Sequence, residues 1–256
     1  MFLIQGVSCM ICWSSILTSL DWFNYHFEDY RPDFWFPISF FSLLMIIQPL
    51  ILIYNHLFSH NIQIIPGYII SFSVLLLIPL LTILFPKDFA FCSICLLCSI
   101  IGVFNTITQN GLVCLGGLIS DLMINYLFMG FSISGVLISI LRIIFIKAFP
   151  TTLEGYNLST GVYFAVAASF QIVSIIVQKK IMNSEFVKEC LDNNDQAKNR
   201  SYIELKTVED KEVKQGLIQD YKELFKGVWE YSVMQFICFF ITFLLLSQVS
   251  LSSSLR

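Results

Sequence analysis

Stretches without a single charged residue dominate the chain, covering 1–20, 34–86, 89–120, 122–141, 155–178 and 231–255. A helix needs about 20 apolar residues to cross the hydrocarbon core of a bilayer. The first stretch and the last three therefore predict one spanning helix each. The 34–86 run is long enough for two, and the polar residues from Asn55-His56 to His60-Asn61, followed by Pro66, mark the turn between them. The 89–120 run reads as one long helix whose excess length tilt absorbs, with Gly116-Gly117 as the point where it would break. Seven spans result. The first has no basic leader and no small-residue cleavage pattern before Asp21, so it is expected to stay in the protein.

Composition agrees with this pattern. The chain is 56% hydrophobic and 13% charged, with a mean hydropathy of +0.76, against about 25% charged residues in a typical globular domain. An ordinary soluble domain is excluded. Ten of the 15 Lys and Arg residues lie between Lys179 and Lys226, which by the positive-inside rule is the cytoplasmic side. Counting back six spans puts the N-terminus in the cytoplasm and the 21–33 loop outside. Arg142 and Lys147, at the outer end of the fifth span, count against this orientation. Lys179 to Glu230 carries ten basic and eleven acidic residues, the composition of a solvated linker, with an amphipathic surface helix as an option over 209–226. The expected organisation is a six-helix bundle over 1–180, a charged cytoplasmic linker over 181–226 and a seventh span over 227–256. A net charge of −3 without a separate basic patch argues against nucleic acid as a partner.

Little in the polar residues reads as catalysis. Cys9, Cys12, Cys92, Cys95 and Cys98 all lie within apolar runs, where cysteine behaves as a small hydrophobe. His56 and His60 share a helical face at the end of the second span but have no third metal ligand nearby. Asp121, the one carboxylate between residues 89 and 153, is expected to cap the turn between the fourth and fifth spans. The sequon Asn157-Leu158-Ser159 lies at the mouth of the sixth. No enzyme, metal or cofactor is expected.

The faces of the spans carry more. Cys98, Gly102, Asn105, Gln109 and Gly116 fall within about a 60° sector of the fourth span at 100° per residue. Such a small and polar stripe either packs closely against a neighbour or faces a cavity; for Gln109 the cavity is the better reading. On the first span Gly6, Cys9, Trp13 and Leu17 share one side. This puts an indole well below the interface where Trp usually sits, and so predicts a buried partner or a stacking surface. Ser132, Gly135 and Ser139 repeat the small-residue theme on the fifth span, and Gly161, Ala165 and Ala168 on the sixth. Pro49 and Pro79 are expected to kink the second and third.

From Asn105 through Gln109-Asn110-Gly111 and Gly116-Gly117 to Gly130 and Gly135, the residues resemble the equilibrative nucleoside transporter family, whose fourth helix carries a Gln followed by glycines at similar spacing. Gly6 to Trp13, then Leu17-Thr18-Ser19-Leu20-Asp21-Trp22-Phe23, is similar to the family's first-helix motif. Ser8, Cys12 and Ser14 depart from it, standing where the family usually has Gly, Pro and Asn. Asn105 occupies a position that is commonly Gly.

The resemblance implies an all-α polytopic membrane protein of major-facilitator-like plan: a six-helix half-bundle plus one further helix. It implies facilitated diffusion of nucleosides or nucleobases by alternating access. Trp13 would pack on the nucleobase, Leu17 and Met45 would line the apolar side, and Gln109 would hydrogen-bond the base edge. Gly6, Asn105, Gly111, Gly130 and Gly135 would shape the cavity or the helix packing. The family has eleven spans and holds its substrate also with an Asp and an Arg on its eighth helix. With seven spans here, transport is expected to need further C-terminal helices or a partner chain that supplies them. The alternatives are a truncated, non-transporting half-bundle acting as a subunit or scaffold and, further off, a seven-helix receptor, whose Asp-Arg-Tyr and Asn-Pro-x-x-Tyr motifs the sequence lacks. The expected location is the plasma membrane, ahead of an internal one.

Overall fold

The computed structural model describes residues 1–54, 59–150 and 152–194. Their helices are α1 (Phe2–Thr18), α2 (Leu20–His26), α3 (Pro32–Tyr54), α4 (His60–Leu84), α5 (Lys87–Ile119), α6 (Asp121–Ala148) and α7 (Leu153–Met182), with a 3-10 turn at Glu28–Tyr30 and a helical stretch over 185–194. No strand occurs among the described residues. The all-α polytopic expectation holds. α4 to α7 are each long and apolar enough to cross a membrane, α1 and α2 qualify together across a 43° bend, and α3 contributes a shorter apolar stretch, Pro32–Gln48. The chain divides into two units, Met1–Leu191 and Asp192–Arg256. The predicted seventh span, most of the 181–226 linker and His56 lie outside the described residues.

Several local expectations change. α4 starts at His60 with Ser59 as its N-cap, so His60 opens the third span and does not close the second; Pro66 and Pro79 both lie inside α4. α5 runs unbroken for 33 residues through Gly116-Gly117. Ser120, not Asp121, caps α6: its hydroxyl accepts from the Leu122 amide at 3.3 Å, satisfying a donor that the helix start leaves open. α6 continues past residue 141 to Ala148, because Arg142 is buried inside the bundle against an acidic partner and does not mark the helix end.

α1 is the central element, packing on α4, α5, α6 and α7. Its contacts use two different chemistries. Against α6 it is glycine: a Cβ on Gly6 would sit 2.2 Å from the Leu127 carbonyl oxygen, and one on Gly130 would sit 2.4 Å from that of Leu3. Two backbones therefore touch where both residues lack a side chain, the small-residue contact that membrane helices favour. Against α7 it is polar. Gln5 Nε2 donates to the Ser174 carbonyl at 3.0 Å, Ser8 Oγ to the Phe170 carbonyl at 3.3 Å and Gln171 Nε2 to the Ser8 carbonyl at 2.9 Å. These pairs, together with Thr18 beside Tyr163, show α1 and α7 to be antiparallel.

α3 meets α5 at Gly102, where a Cβ would stand 2.3 Å from the Phe40 carbonyl oxygen. α4 meets α5 at Gly67 and Gly111, which lie against Thr108 and Gln63 respectively. At the end of the bundle away from the N-terminus, called here the far end, Trp22, Phe23, Phe27, Phe36, Phe91 and Phe164 form a buried aromatic cluster. Beside it Tyr30 donates to Asp88, and this hydrogen bond to a carboxylate raises the phenol above its ordinary pKa.

Candidate functional site

Trp13 is 8% exposed and already has an aromatic partner. Its ring stacks on Phe40 of α3, with centroids 3.9 Å apart and planes at 14°, and meets Phe41 edge-on at 5.6 Å and 80°. Offset stacks and edge-to-face contacts are the arrangements that aromatic quadrupoles favour. Phe40 is held there because its carbonyl rests on Gly102. Leu17, one helical turn beyond Trp13, is half-buried and packs on the same core.

The polar stripe of α5 divides. Cys98, Gly102 and Gly116 are buried, and Gly102 serves the α3 crossing. Asn105 is buried and its Oδ1 accepts a 3.4 Å hydrogen bond from Cys9 Sγ of α1. Gln109 is half-buried and makes no hydrogen bond among the described residues. Gly111 packs on Gln63 and Ile64 of α4, and Gly6 and Gly130 form the α1–α6 crossing, whereas Gly135 has nothing within 4 Å of where a Cβ would lie. Met45 on α3 is 40% exposed.

Helix geometry relates these positions. The Cys9–Asn105 contact is a common level on antiparallel α1 and α5; Trp13 lies four residues toward the far end and Gln109 four toward the near end. At 1.5 Å rise per residue they stand roughly 12 Å apart along the bundle axis. α3 and α5 run in the same direction, with Ser39 and Phe40 contacting Ser99 and Gly102. Met45 is five residues past Phe40, and Gln109 seven past Gly102, so they are level to within about 3 Å. Trp13 and Leu17 thus form one group and Gln109 and Met45 a second, below it. The surrounding residues, Cys9, Phe40, Phe41 and Asn105, are neutral like the four themselves.

Sequence reasoning did not find Phe40 and Phe41; the buried partner expected for Trp13 was their only signal. It also missed a charged cluster at the far end. Arg142 of α6 is 3% exposed. Its Nη2 lies 3.1 Å from both Oδ1 and Oδ2 of Asp21, and its Nη1 donates to Thr160 Oγ1 at 3.0 Å. Tyr156 donates to Asp21 Oδ2, and the guanidinium faces the rings of Tyr156 and Tyr163, each 5.5 Å away. An Arg ending an otherwise apolar run, with a lone Asp ending another, was the available clue. Asn157, read as part of a sequon, instead accepts a 2.8 Å hydrogen bond from Trp22 Nε1.

A family model described as "Nucleoside transporter" matches residues 94–255. Two proteins of Arabidopsis thaliana are similar to the chain. Equilibrative nucleotide transporter 1 is 24% identical over 67% of this chain and 39% of its own length. Equilibrative nucleotide transporter 8 is 22% identical over 67% of this chain and 45% of its own length. The chain spans less than half the length of each of these relatives.

Proposed function

The chain belongs to the nucleoside transporter family, and from that premise we propose that it supplies the N-terminal bundle of a carrier moving nucleosides or nucleobases by facilitated diffusion. One observation carries this reading: a stacked Trp13 at the α1–α3 contact and a half-buried Gln109 amide with no hydrogen bond among the described residues lie about 12 Å apart along the bundle axis, among neutral side chains. A planar, uncharged solute with polar edges needs an apolar or aromatic slot and a few placed hydrogen-bonding groups. Trp13, with Leu17 beside it, offers the slot. Gln109 offers a donor and an acceptor, and Met45 an apolar surface at its level. A phosphorylated solute would need cationic groups that these residues do not supply. Transport proceeds by alternating access, as two bundles rock about the site.

The protein is placed in the plasma membrane, with its N-terminus and residues 181–226 in the cytoplasm and the far end outside. Arg142, which counts against this orientation in the sequence, is buried and paired with Asp21. It is therefore not a free loop charge of the kind the positive-inside rule counts.

The test is uptake of labelled uridine or adenosine into transport-null cells. Gln109→Ala removes no hydrogen bond among the described residues, so it is expected to leave surface abundance unchanged while cutting uptake by about tenfold or more, the loss of one or two polar contacts to solute. Trp13→Phe keeps a ring against Phe40 and is expected to retain more uptake than Trp13→Ala. Uptake no greater than in empty-vector cells, with surface expression confirmed and the C-terminal helices of a relative co-expressed, would defeat the proposal that this chain supplies the N-terminal bundle of a carrier.

A further inference from the structure

The cluster around Arg142 grips both sides of the bend between α1 and α2. On the near side of the bend, Thr18 Oγ1, in the last residue of α1, lies 2.6 Å from the Tyr163 hydroxyl, whose ring faces the Arg142 guanidinium. On the far side, Asp21 binds Arg142 and accepts from Tyr156, and Trp22 next to it donates to Asn157. Between them is Ser19, with φ −103° and ψ 12°. Its amide reaches back to Ile16, while the Trp22 and Phe23 amides start a new ladder on its own carbonyl. The backbone break is one residue wide, and side chains from α6 and α7 contact both sides of it.

The two halves of the ion pair differ in environment. The Arg142 side chain is 4% exposed and the Asp21 side chain 45%. The guanidinium also keeps Thr160 and two tyrosine rings when Asp21 leaves, so separation of the pair leaves the cation partly satisfied and delivers the carboxylate to water. Opening leaves the guanidinium buried among neutral partners without a counter-charge, the outcome that makes buried pairs costly to break, and this cost favours the closed pair.

We propose that Ser19 is a hinge and that Arg142 is its latch, tying the Asp21 end of α2 to the start of α7 beside the aromatic cluster that buries Trp22 and Phe23. Leu17 and Trp13 lie two and six residues before the hinge, so the latch also positions the face assigned above to the solute. That consequence rests on the proposed function; the latch itself does not.

Hydrogen–deuterium exchange of the full chain in detergent tests it. In Arg142→Gln, amides over 20–27 are expected to exchange about tenfold faster or more, the loss of a charge-assisted hydrogen bond, with α4 and α5 unchanged. Arg142→Lys, which keeps the charge without the fork, is expected to restore part of the protection. Tyr156→Phe removes only the hydroxyl, which donates to Asp21 and accepts from Arg142 Nη2 at 3.5 Å, and is expected to speed the same segment several-fold; it supplies the reading if Arg142→Gln does not fold. Unchanged exchange over 20–27 in the folded variants overturns the proposal. So does acceleration spread evenly over α1, α6 and α7, the mark of a rigid strut. Exchange over 20–27 that changes as stated in a chain that carries no uridine or adenosine leaves the latch standing and removes only the assigned solute.

Discussion

Gly6 and Gly135 have the same status in the sequence, each a small residue on the inner face of a span, yet their surroundings are opposite. At Gly6 an added methyl would overlap the Leu127 carbonyl, which belongs to a backbone and cannot turn aside; at Gly135 it would enter open space. Gly6→Ala is therefore expected to lower stability by about 1–3 kcal/mol, the usual range for overpacking. Gly135→Ala is expected to stay within about 0.5 kcal/mol of the parent. Thermal denaturation in detergent reads both. Equal melting temperatures for the two variants would show that α1 and α6 do not approach through glycine. Asn105 illustrates the same limit of legibility. Its place on a polar stripe was readable, but whether the stripe packs or lines a path depended on the tertiary structure, which sets Cys9 opposite Asn105 and gives Gln109 no hydrogen bond among the described residues.

At the scale of elements, α1 is held to α6 by close backbone approach and to α7 by amide and hydroxyl groups reaching carbonyls. In a bilayer there is no general hydrophobic force between helices, and such hydrogen bonds average only about 0.6 kcal/mol, with a maximum near 1.7. Gln171→Leu, which removes the bond to the Ser8 carbonyl, is accordingly expected to cost about that amount and to leave the helices associated. A melting temperature only a few degrees lower, with unchanged elution on size exclusion, fits. Complete unfolding would mean that the α1–α7 seam depends on this residue far more than a single bond allows. The far end is different, since there the seam carries a buried cation, and its loss is expected to act on α2 in particular.

At the scale of the molecule, large apolar side chains lie on the surface of α6, among them Phe128, Ile133, Val136, Ile140 and Ile144. A surface of this kind suits lipid and would drive association in water. Orientation is a whole-molecule property as well. Epitopes inserted after Met1 and within 195–200 are both expected to be stained only in permeabilised cells, and one within 28–31 in intact cells. Staining of the first two in intact cells would reverse the assigned topology, and a split result would show an odd number of crossings between them.

Apolar run length, set by the cost of placing charged side chains in hydrocarbon, was enough by itself to determine that the chain is an all-α polytopic membrane protein and roughly where its spans lie. The order of Gln and glycine residues was enough to place it near its family. Tertiary structure alone decided which small residue is a contact and which is open, that Trp13 is stacked on Phe40, and that Arg142 belongs inside the bundle with Asp21. The reason is physical. Crossing a membrane is decided by each segment against its solvent, residue by residue, whereas a close approach, a ring stack or an ion pair is decided between segments distant in sequence, such as those of Asp21 and Arg142, 121 residues apart, which no local pattern encodes.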